Sequence, residues 1–284
     1  MDGSIRRRHD TDGCACLRCR GLDIGVSRRT LVGSLRWSGR LVREHPSVLA
    51  VFVIPAVAQL VMRPAPPPIR ELGPAIGLAG LVVGRAYLAV VAGSVLYGDD
   101  PRPVDAFRAA VARLPALFAA LLAAGAVVAG ALLIPVVAHE TLVVLGVRPP
   151  EALVDAVIPV LLLAFLALFV KLCLVPEAAV VGRYGPFASV RASWAITSFH
   201  PRKATVLVLG LLALAAISVG LDTSVGEPDG VVTFAVTHDE AEVGLVSIGT
   251  TDETGVVGVL GGAVASALYY GVFVHLYVAG ALEG

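Results

Sequence analysis

Six long apolar runs constrain this chain more than any other feature of its sequence. They are rich in Ala, Val, Leu and Gly and nearly free of charge. They cover residues of about 47–62, 72–97, 114–138, 154–175, 204–221 and 256–282. A helix crosses a bilayer with about 17–25 apolar residues, whereas membrane strands have about ten residues that alternate polar with apolar. The runs therefore predict an all-α membrane protein in which residues 25–282 form a domain of six transmembrane helices.

The composition supports this class. Of the 284 residues, 57% are hydrophobic and 15% are charged, and the mean hydropathy is +0.83. Soluble domains have about 25% charged residues. The first run is short for a span, and we expect Arg43–Pro46 to extend it by snorkelling. Ser27–Arg29 and Ala56–Ala58 resemble parts of a cleaved signal peptide, but several charges separate them, so we expect the first run to be retained.

Positive charges are sorted between the connections of these runs. Seventeen Lys and Arg residues lie before the first run, between the second and third, or between the fourth and fifth. The other connections hold three, which are Arg63, Arg70 and Arg148. An excess of Lys and Arg marks the cytoplasmic face of a membrane protein. We therefore expect a multi-pass protein of the cell membrane with both termini in the cytoplasm.

The connection between the fifth and sixth runs, residues 222–254, has the opposite charge. It contains eight Asp and Glu residues and no Lys or Arg. Within it, Val231–Thr237 and Glu242–Ile248 are short β-prone runs with partial alternation, which is the pattern of a hairpin. Because two strands alone are marginally stable, such a hairpin must pack on the bundle or on another loop. The sequence predicts a small external β-hairpin within an acidic loop.

A phrase that occurs twice predicts the architecture of the cytoplasmic side. Residues 34–46 and 189–201 share Ser, Arg, Ser, His and Pro at five of thirteen aligned positions. Each phrase has the period of an amphipathic helix that lies in the membrane interface, and its Pro disfavours continuing that helix. We expect an elbow at each phrase, that is, an interfacial helix, a bend and then a span. The elbow residues are Arg36, His45, Pro46, Arg191, His200 and Pro201.

A weaker third copy occurs at Asp105–Leu114. This stretch is amphipathic, contains Arg108 and ends at Pro115, where the third run begins. Three copies predict three units, each an interfacial helix followed by a transmembrane hairpin. The alternative is that short loops between membrane helices tend to be basic and amphipathic without a common origin.

Residues 97–122 resemble the earlier elbow of a membrane-protein family, and residues 174–215 carry the main pattern of that family. It consists of a Pro at the end of a span, a short variable stretch, a Gly-Pro pair and an amphipathic helix with Ser and Trp. Its positions here are Pro176, Gly185, Pro186, Ser189, Ser193 and Trp194. From about Val26 to Ala279 the chain resembles an uncharacterised family of six-helix membrane proteins of archaea and bacteria, which includes the membrane domain attached to some glycerophosphodiester phosphodiesterases. We expect no catalytic domain here, so the resemblance implies the fold and the membrane location, and no catalytic residues.

The N-terminal tail, residues 1–24, is basic and contains a cysteine cluster. Cys14, Cys16 and Cys19 form a C-x-C-x-x-C motif with His9 upstream. We expect a disordered cytoplasmic tail with incidental thiols, whose arginines contact anionic lipid headgroups. One alternative is a zinc site, because three thiolates and an imidazole can bind zinc tetrahedrally. The other is a redox role. No other cofactor is expected.

Three polar residues within the runs are candidate functional residues: Arg85, Lys171 and His275. Arg85 lies near the middle of the second run, where lipid satisfies none of its five donors. We expect it to face the bundle and to bind backbone carbonyls, Tyr269, Tyr270 or water, since no carboxylate is expected at that depth. This would make Arg85 a polar clamp between helices. The alternatives are a substrate or anion site, and snorkelling to the interface.

Acidic residues on the cytoplasmic side offer few signs of chemistry. Asp99, Asp100 and Asp105 resemble a metal-binding acidic cluster, but prolines interrupt them, and Asp residues just before a helix are ordinary caps. Glu177, at the end of the fourth run, is expected to pair with a cytoplasmic Arg.

Two small-residue motifs bear on helix packing. Gly80 and Gly84, and likewise Gly258 and Gly262, form G-x-x-x-G motifs, which allow close contact between helices. The alternative is that they simply belong to Gly-rich apolar helices.

The sequence predicts a membrane protein without a specified activity. It contains no P-loop, G-x-S-x-G or H-E-x-x-H signature, and its runs have few carboxylates to form a transport site. We expect a non-enzymatic scaffold or accessory protein that contacts lipid and an unknown membrane or cytoplasmic protein, and no nucleic acid. The alternative is a small transporter or channel that uses the bundle interior around Arg85.

Overall fold

Helices make up most of the chain in the computed structural model. The structure describes residues 5–7, 30–62, 64–145, 151–225, 231–238, 241–249 and 256–283. The helices are α1 Leu31–Glu44, α2 Pro46–Met62, α3 Pro67–Arg70, α4 Leu72–Leu96, α5 Pro103–Val144, α6 Glu151–Leu172, α7 Val175–Val180, α8 Pro186–Phe199, α9 Pro201–Val225 and α10 Val256–Glu283. The strands are β1 Val231–His238 and β2 Ala241–Gly249.

Several helices are long and apolar enough to cross a membrane. Among the described residues, four stretches meet this condition by length and composition, and the bent pair of α1 and α2 makes a fifth if it is counted as one span. The four are Pro67–Leu96, Pro103–Pro135, Pro159–Val180 and Gly258–Leu282. The prediction of a mainly helical protein with several helices able to span a membrane is therefore confirmed.

The chain bends sharply at the first His-Pro pair, with an angle of 84° between α1 and α2. The Thr30 hydroxyl caps the start of α1 by accepting a hydrogen bond from the Gly33 N–H. The helix ends at His45, whose N–H still donates to the Leu41 carbonyl. A residue before proline is driven out of the helical region by the proline ring, and His45 accordingly has φ −119° and ψ 76°.

The second His-Pro pair ends α8 in the same way. The His200 N–H donates to the Ile196 carbonyl, and His200 has φ −121° and ψ 55°. Pro201 then begins α9, where its missing N–H costs nothing because the first turn has no internal acceptor for it. The helix breaks predicted at both His-Pro pairs are confirmed, whereas an interfacial position for α1 and α8 stays a prediction.

The third predicted elbow is wrong. Helix α5 runs from Pro103 through Pro115 to Val144 without a break, and Arg108 is an exposed residue near its start. A proline inside a helix removes one hydrogen bond, and helices of membrane proteins tolerate this where neighbouring groups satisfy the freed carbonyl. Pro103, at the first helical position, is where a proline fits best. Of the three predicted elbows, the described chain therefore has a helix break at two, the His-Pro pairs.

Glycines bring α2 and α4 into close contact. A Cβ atom at Gly84 would lie 2.8 Å from Cε1 of Phe52, and one at Gly80 would overlap the ring of Pro55. This confirms close packing at the first G-x-x-x-G motif. The second motif differs, because a Cβ at Gly262 would meet nothing within 4 Å. Gly262 therefore does not bring α10 into close contact with another helix.

Strands β1 and β2 pair antiparallel, with Val231 opposite Gly249 and His238 opposite Ala241. The register is irregular between Thr233 and Ala235, as at a β-bulge. The placement of these strands outside the cell stays a prediction from the charge of the loop.

Candidate functional site

A buried ion pair joins Arg85 of α4 to Glu177 of α7. The Arg85 Nε and Nη2 atoms each lie 2.9 Å from one carboxylate oxygen of Glu177. Two parallel bonds of this kind are the strong, geometrically specific form of an arginine–carboxylate pair. The Glu177 side chain is 0% exposed and that of Arg85 is 19% exposed. The ion pair therefore has no net charge, and it is nearly closed to solvent.

The break between α6 and α7 creates this site. Helix α6 ends at Leu172, and a turn at Cys173 and Leu174 leads into α7, whose first turn carries Glu177. The last carbonyls of a helix have no N–H donor within it, and the Cys173 carbonyl just after α6 accepts a 2.7 Å hydrogen bond from Arg85 Nη2. One side chain on α4 thus satisfies both a carboxylate and a free backbone carbonyl.

Aromatic rings of α10 complete the surroundings of Arg85. Its guanidinium carbon lies 4.7 Å from the ring centroid of Tyr270 and 5.6 Å from that of Phe273. Cations bind ring faces at such distances, and more strongly where water is excluded. Tyr270 was expected to contact Arg85, and it does so through its ring. Tyr269 is not part of the site, because its side chain packs against Gly210 of α9.

Two predictions about Glu177 and Arg85 are corrected. A carboxylate lies beside Arg85, and Glu177 pairs with this arginine of the second apolar run instead of one from a basic connection. The position of Glu177 after the fourth apolar run suggested the interface, but α7 lies against α4 and α5 as a separate short helix. A signal was present, since Glu177 is the one charged residue in the apolar segment 175–181.

The two other candidate residues, Lys171 and His275, lie away from Arg85, and each contacts one of the helices that end at a His-Pro pair. Lys171 Nζ lies 2.6 Å from Ser198 Oγ of α8 and 5.6 Å from the ring centroid of Trp194. His275 Nδ1 lies 3.0 Å from Ser34 Oγ of α1. The structure therefore does not bring Arg85, Lys171 and His275 together. They serve three separate contacts between helices.

The repeated serines of the two elbows have matching roles. Ser38 Oγ donates to the Leu268 carbonyl of α10, and Ser193 Oγ donates to the Lys171 carbonyl of α6, each at 2.7 Å. Both serines are fully buried. A Cβ at Gly271 would overlap Ser38 Oγ, so this glycine permits the close approach of α1 and α10. The repeated phrase thus encodes both a helix break and a hydrogen bond to a neighbouring helix.

The first serine of each phrase bonds locally. Ser34 Oγ donates to the Thr30 carbonyl at 3.1 Å, and Ser189 Oγ donates to the Gly185 carbonyl at 3.0 Å. Both acceptors lie four residues earlier, at the start of the elbow helix. The two local bonds correspond, although Ser34 Oγ also contacts His275 of α10. Helical serines commonly bond the carbonyl four residues earlier, so divergence from a repeat stays a prediction.

Residues 5–7 form an N-terminal strap on the bundle. The Ile5 N–H donates to the Val181 carbonyl at 3.2 Å, and the Tyr277 hydroxyl donates to the Ile5 carbonyl at 2.8 Å. Arg6 Nε donates to the Gly182 carbonyl at 3.1 Å. Ile5 is 0% exposed. The prediction of a disordered tail therefore does not hold for these three residues.

The predicted metal ligands His9, Cys14, Cys16 and Cys19 lie outside the described residues. Among the residues that are described, no group of three or more His, Cys, Asp or Glu side chains is placed to hold a metal ion. This covers Asp99, Asp100 and Asp105. Asp100 instead lies 3.8 Å from His45 Nδ1 at the first elbow.

A cavity of about 900 Å³, here called the α4–α5 cavity, lies where the end of α4, the start of α5 and the chain after α7 meet. Its wall includes Ala89 and Val181, each four residues beyond Arg85 and Glu177. Since four residues are about one helical turn, the cavity ends close to the ion pair. Charged side chains of both signs also line it. They are Asp99, Asp100, Arg102, Asp105, Arg113 and Arg183.

Comparisons of the chain with protein-family models, with curated proteins and with solved structures found no match. The resemblance to the six-helix family therefore stays a prediction, based on the motifs in residues 97–122 and 174–215.

Proposed function

We propose that this chain is a six-span protein of the cell membrane that acts as a non-enzymatic scaffold or accessory protein, with both termini in the cytoplasm. The observation that supports a scaffold is the completed Arg85–Glu177 pair. Its charges neutralise each other, and the Cys173 carbonyl and the Tyr270 ring occupy more of the guanidinium. The pair is thus a clamp between α4 and α7.

A substrate that used Arg85 would have to displace Glu177. The displaced carboxylate would remain buried and unpaired, and breaking a buried ion pair in this way costs about 3–5 kcal/mol. An anion of ordinary affinity does not supply that free energy in addition to its own desolvation. The geometry therefore favours a structural role for the clamp.

The topology is tested by cysteine accessibility. The four native cysteines are first replaced by serine, and single cysteines are then introduced at Ala109 and Asp229. We expect an impermeant maleimide to label the Asp229 position from outside and the Ala109 position only from the cytoplasmic side. Labelling of the Asp229 position only from the cytoplasm would contradict both the orientation and the external acidic loop.

The scaffold function is tested by affinity purification from native membranes, followed by identification of the recovered proteins. We expect one protein partner to be recovered with the wild type. The Arg85→Met, Glu177→Met double variant should recover the same partner, because removing both charges of the ion pair leaves the net charge of the site at zero. A variant with a neutralised acidic loop or without residues 8–24 should lose that partner if the corresponding segment binds it. Recovery of lipid alone would contradict the proposal.

A transporter or channel is the second candidate, and the α4–α5 cavity favours it, because this cavity extends to within about one turn of both clamp residues. The test is flux of small ions and zwitterions into proteoliposomes. If the pathway passes the clamp, the wild type supports flux and the folded double variant does not. If the wild type supports no flux and a protein partner is recovered, the results favour the scaffold over the transporter or channel.

A further inference from the structure

The lining of the α4–α5 cavity combines apolar walls with charges of both signs. Its deeper wall is formed by small and aliphatic residues, among them Ala89, Gly93, Ala106 and Val180. Arginines and aspartates line it in equal number, three of each. A volume of about 900 Å³ lies within the range of small-molecule sites, about 300–1,000 Å³. The cavity is therefore large enough for an amphiphilic group.

The charges indicate which group fits. In the described part of the chain, the side chains of Asp99, Arg102 and Asp105 make no hydrogen bond or ion pair. A bare anion would be attracted by the arginines and repelled by the aspartates. A zwitterion has a partner for each, because its phosphate can accept from guanidinium N–H groups and its ammonium can donate to carboxylates.

The aromatic content of the cavity distinguishes between zwitterions. Quaternary ammonium groups have no N–H donor and are bound by cages of several aromatic rings, whereas Tyr97 is the one aromatic residue in this lining. Carboxylates such as Asp99 and Asp105 instead suit a primary ammonium with three N–H donors. The lining thus fits phosphoethanolamine better than phosphocholine.

The position of the cavity indicates the source of the group. It lies at the end of α4, a helix long and apolar enough to span the membrane, beside the Arg-containing start of α5. Lipid headgroups lie at this level of a bilayer. We propose that the α4–α5 cavity binds the headgroup of a zwitterionic phospholipid with a primary ammonium, with its phosphate at the arginines and its ammonium at the aspartates.

The test is binding of defined lipids to the purified full-length protein in detergent, measured by native mass spectrometry. The probes are short-chain phosphatidylethanolamine, phosphatidylcholine and phosphatidylglycerol, and soluble glycerophosphoethanolamine. We expect phosphatidylethanolamine to bind at least tenfold more tightly than the other three. Arg102→Ala and Asp105→Asn should each weaken this binding about tenfold, and thermal unfolding shows whether each variant is folded.

The matched control is Arg108→Ala, which removes an exposed arginine of α5 that does not line the cavity. This variant should bind phosphatidylethanolamine as the wild type does. Equal or tighter binding of phosphatidylglycerol would overturn the proposal in favour of a general anion site. Equal losses in Arg102→Ala and Arg108→Ala would overturn the location, and equally tight binding of glycerophosphoethanolamine would overturn a lipid source.

Discussion

Arg85 and Glu177 depend on each other because, among the described residues, neither side chain has another partner of opposite charge. Removing one leaves the other buried and uncompensated, whereas replacing both by apolar residues of similar volume removes the desolvation cost as well. We expect Arg85→Met and Glu177→Met each to lower the free energy of unfolding by about 3–5 kcal/mol. The double variant should regain most of this loss. Denaturant unfolding in lipid–detergent micelles measures all three.

The control for the clamp is Arg108→Met at an exposed position of α5, which should change the free energy of unfolding by less than about 0.5 kcal/mol. Single clamp variants as stable as this control would mean that water or lipid headgroups already solvate Arg85 and Glu177. A double variant less stable than either single one would exclude mutual compensation.

Ser193 satisfies two backbone groups at the end of α6. Its hydroxyl donates to the Lys171 carbonyl and accepts from the Leu174 N–H. We expect Ser193→Ala to cost about 1–2 kcal/mol, since both backbone groups lose this partner in a buried place. The comparison is Thr141→Ala, which removes an exposed hydroxyl that bonds within its own helix α5, measured in the same unfolding assay. Equal effects of the two substitutions would contradict a capping role for Ser193.

At the level of elements, the contact between α2 and α4 depends on glycines. A methyl group at Gly84 would lie 2.8 Å from Phe52, so Gly84→Ala should destabilise by about 1–3 kcal/mol through overpacking. Gly262→Ala is the matched control, because open space surrounds that position on α10. It should be neutral or stabilising by up to about 1 kcal/mol, since alanine is the better helix former. Thermal unfolding in detergent that shows the same sign for both would contradict this account.

At the level of elements, the prolines also differ in whether the helix breaks before them. Pro46 and Pro201 follow a residue outside the helical region and begin a new helix, whereas Pro115 lies inside α5. A proline permits a break and does not by itself require one. The His-Pro breaks are accompanied by buried serines that bind a second helix, and this tertiary contact holds the elbow helix in its own direction.

For the whole molecule, the N-terminal strap connects the start of the chain to the loop after α7. Ile5 is fully buried between that loop and α10, and its backbone bonds both. We expect Ile5→Asp to detach the strap, because a carboxylate in that place loses its hydration. Trypsin should then cleave after Arg6 and Arg7 several times faster than in the wild type.

Gly84→Ala controls for a general loss of stability, because it destabilises the chain at a contact with Phe52 of α2 and not at the strap. Its cleavage rate after Arg6 and Arg7 should equal that of the wild type. A wild type cleaved there as fast as Ile5→Asp would mean that the strap is not held in solution. The readout is mass spectrometry of the released N-terminal peptides over time.

The sequence by itself determined the helical class, the apolar runs and both His-Pro breaks, because these follow from local composition, period and the sterics of proline. It also indicated that Arg85 faces protein and that backbone carbonyls bind it. Only the tertiary structure decided that Glu177 is its partner, 92 residues away along the chain. It alone placed Ile5 against Val181 and extended α5 through Pro115. Pairings at such separations depend on how whole helices pack, and no local pattern of residues encodes the distance between two helices.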